Sequence, residues 1–140
     1  RISKAGKCIS PKFASRYYDG LNFGALLYIG GPETAFASCA DHTSTLPLPL
    51  FNPIVMETEG NKVEMFKNDS SIYSEVTSAA LLQKVEEAVC KASQLTSLRI
   101  GDFVAVELTP ASSLAIKSEG SLSFKATFCE NETFNYRIIF

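Results

Sequence analysis

"SLSFKATFC", residues Ser121 to Cys129, decides the fold class. Leu122, Phe124, Ala126 and Phe128 alternate with Ser123, Lys125 and Thr127, so one side of an extended chain is apolar and the other polar. Side chains on a strand point to opposite faces in turn, and this period of two is the signature of a strand with one buried face. Glu130-Asn131-Glu132 then reads as a turn, and "TFNYRIIF", Thr133 to Phe140, returns with Phe134, Tyr136 and Ile138 on one face. The last third of the chain is therefore expected to be antiparallel β-sheet.

Working back from that hairpin, "DFVAVEL" (Asp102 to Leu108) reads as a buried strand entered through a turn at Gly101-Asp102. Asp102 is expected to accept backbone hydrogen bonds in that turn. Ser78 to about Gln94 is the clearest helix: Leu81, Leu82, Val85, Val89 and Ala92 recur at helical spacing and form one apolar stripe. Glu87 and Lys91 add a pair four residues apart. "IVMETEGNKVEMF" (Ile54 to Phe66) reads as a hairpin turning at Gly60-Asn61, with Ile72 to Val76 a further short strand. "FGALLYI" (Phe23 to Ile29) is a continuous apolar run without a helix cap, expected to be a buried strand. Before it, Ser10-Pro11 starts a helix running to about Tyr18, with Phe13, Ala14 and Tyr17 facing inward. Between them, "TLPLPLFNP" (Thr45 to Pro53) excludes a central strand, because proline has no ladder donor. A long irregular segment inside a small domain usually marks function or the remnant of one.

The bulk composition narrows the function classes. With 140 residues, 46% hydrophobic and 20% charged, the chain suits one globular domain spanning residues 1–140. A net charge of -2 gives no basic stripe for nucleic acid. No apolar run approaches the length of a membrane helix, so no membrane partner is expected. The four cysteines, Cys8, Cys39, Cys90 and Cys129, are widely spaced without a CxxC. They read as free, mostly buried thiols of a reducing compartment, and a cytoplasmic location is the corresponding expectation. Asn68-Asp69-Ser70 and Asn131-Glu132-Thr133 fit the glycosylation pattern, which matters only in a secreted protein.

Few residues carry obvious chemistry. His42 is the one histidine, and with Asp41 and Ser44 it invites a hydrolase reading, but no GxSxG elbow accompanies it and a loop histidine is the plainer reading. Glu57 and Glu59, two apart on a strand, would share a face, and Glu64 would join from the facing arm of the hairpin to grip a hard divalent cation. The solvated face of a hairpin explains the same residues. Thr109 and Pro110, at the end of the "DFVAVEL" strand, are candidate substrate-binding residues because strand ends feed loops that line clefts.

Three pieces, in order, resemble the fumarylacetoacetate hydrolase family, especially the bacterial members described as hydratases or isomerases. "RISKAGKCISPKFASRYYDGLNFG" (Arg1 to Gly24) is similar to the family's strand end, following helix and entry to the next strand. "ETEGNKVEMFKND" (Glu57 to Asp69) is similar to a strand carrying "NGE". "SLRIGDFVAVELTPASSLAIKSEGSLSF" (Ser97 to Phe124) is similar to the run "L..GD.I.tGTP.GvG.....GD", with the helix Ser78–Gln94 before it as in the family. The resemblance implies an α+β, mostly β fold: a mixed β-roll or β-sandwich with two main helices, often dimeric. It implies a divalent ion, Mg²⁺ or Mn²⁺, held on carboxylates, and hydrolysis, hydration, decarboxylation or isomerisation of β-keto or enol acids. Such an ion would chelate adjacent substrate oxygens and stabilise an enolate.

The departures from the family pattern are as informative as the likeness. The family's first two carboxylate ligands belong to an E-x-E strand that would precede Arg1, a segment expected to be missing here. Its third is an aspartate in a motif like "GIDFTARD"; aligned on Gly24, that position is Leu26, and the motif's Arg-Asp pair falls on Gly30 and Gly31. The family's lysine would fall near Ser38 if Asp41 matches, and of "TGTP" only Thr109-Pro110 remains, after Glu107 and Leu108. Leucine cannot ligate a cation. The expectation is a domain that has lost its metal-binding and catalytic residues, needs no cofactor, and acts as a structural or binding partner, as a homodimer or paired with a homologue. The alternative is an active metal-dependent hydrolase, isomerase or decarboxylase whose ligands lie upstream of Arg1, completed by Glu33 or Glu57.

Overall fold

Glycine is scarce at the turns that build the main sheet, and the chain forces other residues into the left-handed region instead. The computed structural model describes residues 1–30, 44–58 and 60–140. Asn68 and Asp69 have φ of 46° and 65°, and Cys129 and Glu130 have φ of 50° and 65°. Two consecutive left-handed residues make the tight two-residue turn whose twist matches that of paired strands. Asn and Asp tolerate it well; Cys and Glu do so less readily. The Asn131 amide steadies the second turn by donating to the Cys129 carbonyl at 2.9 Å.

These turns close two hairpins, β3 (Lys62–Lys67) with β4 (Ser70–Val76), and β5 (Ser121–Phe128) with β6 (Asn131–Ile139). They join edge to edge through β3 and β5 into an antiparallel sheet of order β4-β3-β5-β6. The register puts Val63 opposite Phe128 and Met65 opposite Ala126. Leu122, Phe124 and Ala126 lie opposite Ile138, Tyr136 and Phe134. One face thus collects the apolar residues, while Lys62, Glu64, Lys125 and Arg137 share the other. Both edge strands carry a bulge: Ile72 is skipped between Tyr73 and Ser71 on β4, and Thr133 between Phe134 and Glu132 on β6. Bulges at sheet edges disfavour pairing with another chain.

The apolar face is covered by α1 (Ala79–Leu95), by a 3₁₀ turn at Pro53–Met56 and by extended chain. Phe23, Met56, Val63, Leu81, Leu82 and Phe128 form one cluster, in which the Phe128 ring lies 5.1 Å from Phe23 and 5.0 Å from Phe51. Leu122, Phe124, Ala126 and Phe134 form a neighbouring cluster under Ala25, Leu27, Leu114 and Ala115. At the far end of α1, Val89 and Cys90 pack with Ile2, Ile9, Ala14, Tyr18 and Leu98. There Ser93, wholly buried, accepts from the Ile9 N–H at 2.8 Å and donates to the Cys90 carbonyl at 2.7 Å. β1 (Ala25–Leu26) and β2 (Ser44–Thr45) form a separate two-stranded ribbon, and short 3₁₀ helices lie at Pro11–Arg16 and Lys117–Glu119. The architecture is α+β and mostly β, with antiparallel sheets. No helix among the described residues is long and apolar enough to cross a membrane.

Several expectations hold and several do not. Strands β5 and β6 and helix α1 form where the sequence puts them, and the Arg99 N–H donates to Asp102 at 2.7 Å in the Gly101 turn. The first helix forms as a 3₁₀ helix at Pro11–Arg16; Ala14 is buried, but Phe13 is exposed beneath Lys12 and Arg16, whose cations lie 5.8 and 5.2 Å from its ring. On α1, Gln83 rather than Lys91 approaches Glu87, at 3.4 Å. The hairpin turn is at Asn68-Asp69 and not at Gly60-Asn61. Pro53 starts a 3₁₀ turn capped by Asn52, whose side chain accepts from the Ile54 N–H at 3.1 Å, so residues 53–56 cannot serve as a strand arm. The final turn is centred on Cys129-Glu130, one residue earlier than expected.

The largest corrections concern "FGALLYI" and "DFVAVEL". Within the first, only Ala25–Leu26 pair, and Leu26, Tyr28 and Ile29 are exposed. Residues 103–108 form no strand, and their side chains are at best half-buried. Both runs have the apolar content of strands but lack a neighbouring strand to complete a ladder among the described residues. Of the three cysteines among the described residues, Cys8 is exposed, Cys129 intermediate and Cys90 buried, so that set is not mostly buried. The readings that involve Gly31, Glu33, Ser38, Cys39, Asp41, His42 and Glu59 lie outside the described residues.

Candidate functional site

Of the residues that the family resemblance marks, Leu26 falls on β1, Gly30 follows it, and Thr109 and Pro110 lie in irregular chain after residues 103–108. Asn22 sets the path into β1: its amide donates to the carbonyls of Pro47 (3.2 Å) and Pro49 (2.8 Å), and its side-chain oxygen accepts from the Phe23 N–H at 2.7 Å. Phe23 is then buried against Phe128, which anchors the start of the strand. Gly24 permits the close pairing that follows, since a Cβ there would sit 2.2 Å from the Thr45 carbonyl oxygen. Leu26, at the ligand position of the resemblance, pairs with Ser44 and is 41% exposed.

Two residues further, the Tyr28 hydroxyl donates to Glu107 Oε1 at 3.1 Å. The hydrogen bond to that carboxylate raises the Tyr28 pKa above the ordinary phenol range. This contact ties the chain after β1 to residues 103–110. Leu108 packs toward the Phe128 cluster, while Thr109 and Pro110 are exposed. The structure therefore brings Tyr28 to Glu107, next but one to Thr109 in the chain. It supplies no carboxylate at Leu26.

The expected acidic pair is separated. Glu57 ends the 3₁₀ turn at Pro53–Met56, whereas Glu64 lies on the polar face of the sheet, with its carboxylate 2.8 Å from the Lys62 ammonium. Glu57 instead joins Glu86, Glu87 and Gln83 around an open groove of about 560 Å³ floored by Leu82. Sequence reading gives Glu87 only a pairing with Lys91 and passes over Glu86; both stand on α1 one turn beyond Leu82 and Gln83, so the polar row beside the apolar stripe is the available signal. The Tyr18 hydroxyl lies 3.5 Å from Glu86 Oε1, and burial together with that carboxylate pushes its pKa up to about 12. A second groove, about 240 Å³, lies between Leu48 and Phe51 on one side and Glu132 and Thr133 on the other. Thr109 and Pro110 line neither groove.

Chemically, these arrangements offer little to a metal. Among the described residues, no group of three or more His, Cys, Asp or Glu side chains converges as a metal shell would require. The groove at Glu57, Glu86 and Glu87 is a field of like charges, with no Lys, Arg or His among its described lining residues. Leu26, Thr109 and Pro110 offer no carboxylate and do not fit a hard divalent ion. No protein-family model matches the chain, and no curated protein matches it.

Proposed function

We propose that this chain is a domain similar to the fumarylacetoacetate hydrolase family that has lost the metal-binding and catalytic residues and serves a structural or binding role. In this reading its strands belong to a β-roll completed by a partner, either a second copy or a homologue, in the cytoplasm. The observation that carries the reading is Leu26. It sits on a paired strand where the resemblance calls for a metal-ligating aspartate, and its side chain is an alkyl group open to solvent.

The test is thermal unfolding with and without millimolar Mn²⁺ or Mg²⁺. A ligand that binds only the folded state raises the unfolding temperature by mass action. The expected result is superimposable curves. A saturable, concentration-dependent rise in either metal would overturn the reading and restore a metal-dependent hydrolase or isomerase acting on β-keto or enol acids.

A further inference from the structure

The net charge of -2 conceals an uneven distribution. Residues 1–18 hold five cations, Arg1, Lys4, Lys7, Lys12 and Arg16, and no Asp or Glu. The other eight of the 13 Lys and Arg share the rest of the chain with all 15 Asp and Glu, so the charge divides into +5 and -7. The fold keeps the cations together. Ile2 bridges to Tyr18, and the Ser3 N–H donates to the Tyr17 carbonyl at 2.8 Å, which lays the Lys4 segment beside the end of the Pro11–Arg16 helix. On the other side of that segment, Gly6 bridges to Leu98, the Gly101 N–H donates to the Ile2 carbonyl and the Ile2 N–H to the Asp102 carbonyl. The turn Arg99–Asp102 therefore lies along the same segment. Arg1 pairs with Asp19. Lys4, Lys7, Lys12, Arg16 and Arg99 are exposed, and among the described residues none of them meets a carboxylate at ion-pair distance. The groove of Glu57, Glu86 and Glu87 reaches Pro11 and bounds the cationic surface there.

Two apolar side chains stand among these cations: Ile100, 72% exposed in its turn, and Phe13, 41% exposed. Lys12 and Arg16 lie over the Phe13 ring, and the Lys4 ammonium lies 5.2 Å from the centre of the Tyr17 ring. Single-stranded nucleic acid binds by stacking bases on open ring faces. Here the chain's own cations lie over the rings, and Ile100 offers no ring and no side-chain hydrogen bond. An anionic bilayer surface takes both components, the cations at its headgroups and the apolar tips at the acyl boundary. We propose that the surface formed by Lys4, Lys7, Lys12, Arg16 and Ile100 docks this chain on the face of a bilayer rich in anionic lipid, without spanning it. This revises the expectation of no membrane partner, which came from the length of the apolar runs; surface docking requires no spanning helix. The inference does not rest on the loss of the metal site.

The experiment is flotation of the full chain with vesicles of phosphatidylcholine and phosphatidylserine, beside vesicles of phosphatidylcholine alone, at low and at high salt. The expected result is binding to the anionic vesicles only, weakening as salt rises. Binding to neither vesicle, or equally to both, overturns the proposal without recourse to any variant. Lys4→Gln combined with Lys12→Gln should weaken binding by about tenfold or more. Lys117→Gln combined with Arg137→Gln removes the same charge from exposed residues elsewhere and should leave binding nearly unchanged. Equal losses in the two double variants would mean that bulk charge acts, not this surface, and would overturn the assignment. Ile100→Ser should weaken binding several-fold with the salt dependence retained, and unaltered binding refutes docking through this face. Tighter binding to a single-stranded oligonucleotide than to the vesicles, in the same salt, overturns the lipid surface in favour of nucleic acid.

Discussion

Residues 121–128 and residues 103–108 are written in nearly the same hand, and they end in opposite states. Each alternates large apolar residues with smaller or polar ones. The first forms β5, paired on both sides and with Leu122, Phe124, Ala126 and Phe128 buried. The second stays irregular and half-exposed, with no ladder among the described residues. The difference lies in the neighbours. Strand β5 has a two-residue turn that brings β6 back beside it and β3 on its other edge. Residues 103–108 have an isolated turn before them and a proline after. Alternation specifies a face, but a strand needs a partner in reach.

The strongest way to break this contrast is to truncate one residue from each region. Phe128→Ala removes a ring with no solvent exposure, packed against Phe23 and Phe51, and should cost about 3–5 kcal/mol by urea denaturation. Val106→Ala, from the half-buried stretch, should cost about 1 kcal/mol or less. Equal losses would mean that residues 103–108 belong to the core as fully as β5 does. Between these extremes, Gly24→Ala forces a methyl group into the Thr45 carbonyl and should cost about 1–3 kcal/mol, reported by loss of amide protection in β1 and β2 first. If the loss were spread evenly over the molecule, the ribbon would be part of the core and not a weak annex.

Alkaline pH probes the cluster at the other end of α1. The Tyr18 pKa rises to about 12 in the folded state, from the ordinary value of 10.0. The folded state therefore keeps a proton that the unfolded state gives up. That contribution to stability is fully present below pH 10 and is lost as pH climbs from 10 to 12. Tyr73, also raised, acts in the same sense from the sheet. Tyr18→Phe should flatten the fall in urea midpoint between about pH 9 and about pH 11.5 without abolishing it. An unchanged slope would place the titration elsewhere. The smallest expected effect is a gain: Glu130→Gly relieves a left-handed residue in the β5–β6 turn and should add about 1 kcal/mol. No gain would mean that the turn is held by the Asn131 amide alone.

The same contrast explains what can be read from the sequence. Elements whose signal and partner are local are legible: α1 from its stripe, β5 and β6 from alternation on both sides of a turn, Asp102 from its place in a turn. The turn residues themselves are harder, because Asn68-Asp69 and Cys129-Glu130 lack the glycine that usually advertises a left-handed pair. "FGALLYI" and "DFVAVEL" mislead because pairing is a property of two segments, and one segment does not announce whether the other comes within reach. Of the candidate site, Leu26 is singled out by resemblance, and Thr109-Pro110 by their place after an expected strand that does not form. The groove at Glu57, Glu86 and Glu87 is not, because it joins a 3₁₀ turn to a helix across a distance that no spacing encodes.

Helix α1 reaches from Leu81 and Leu82, under the sheet, to Val89 and Cys90, among the N-terminal residues. At 17 residues it spans about 25 Å. Two cores that share one rigid rod cannot melt at leisure, each in its turn. Heating should release a single calorimetric event across Ile2 and Phe128 alike, and the chain would go from native to unfolded without a half-built species for proteases to find.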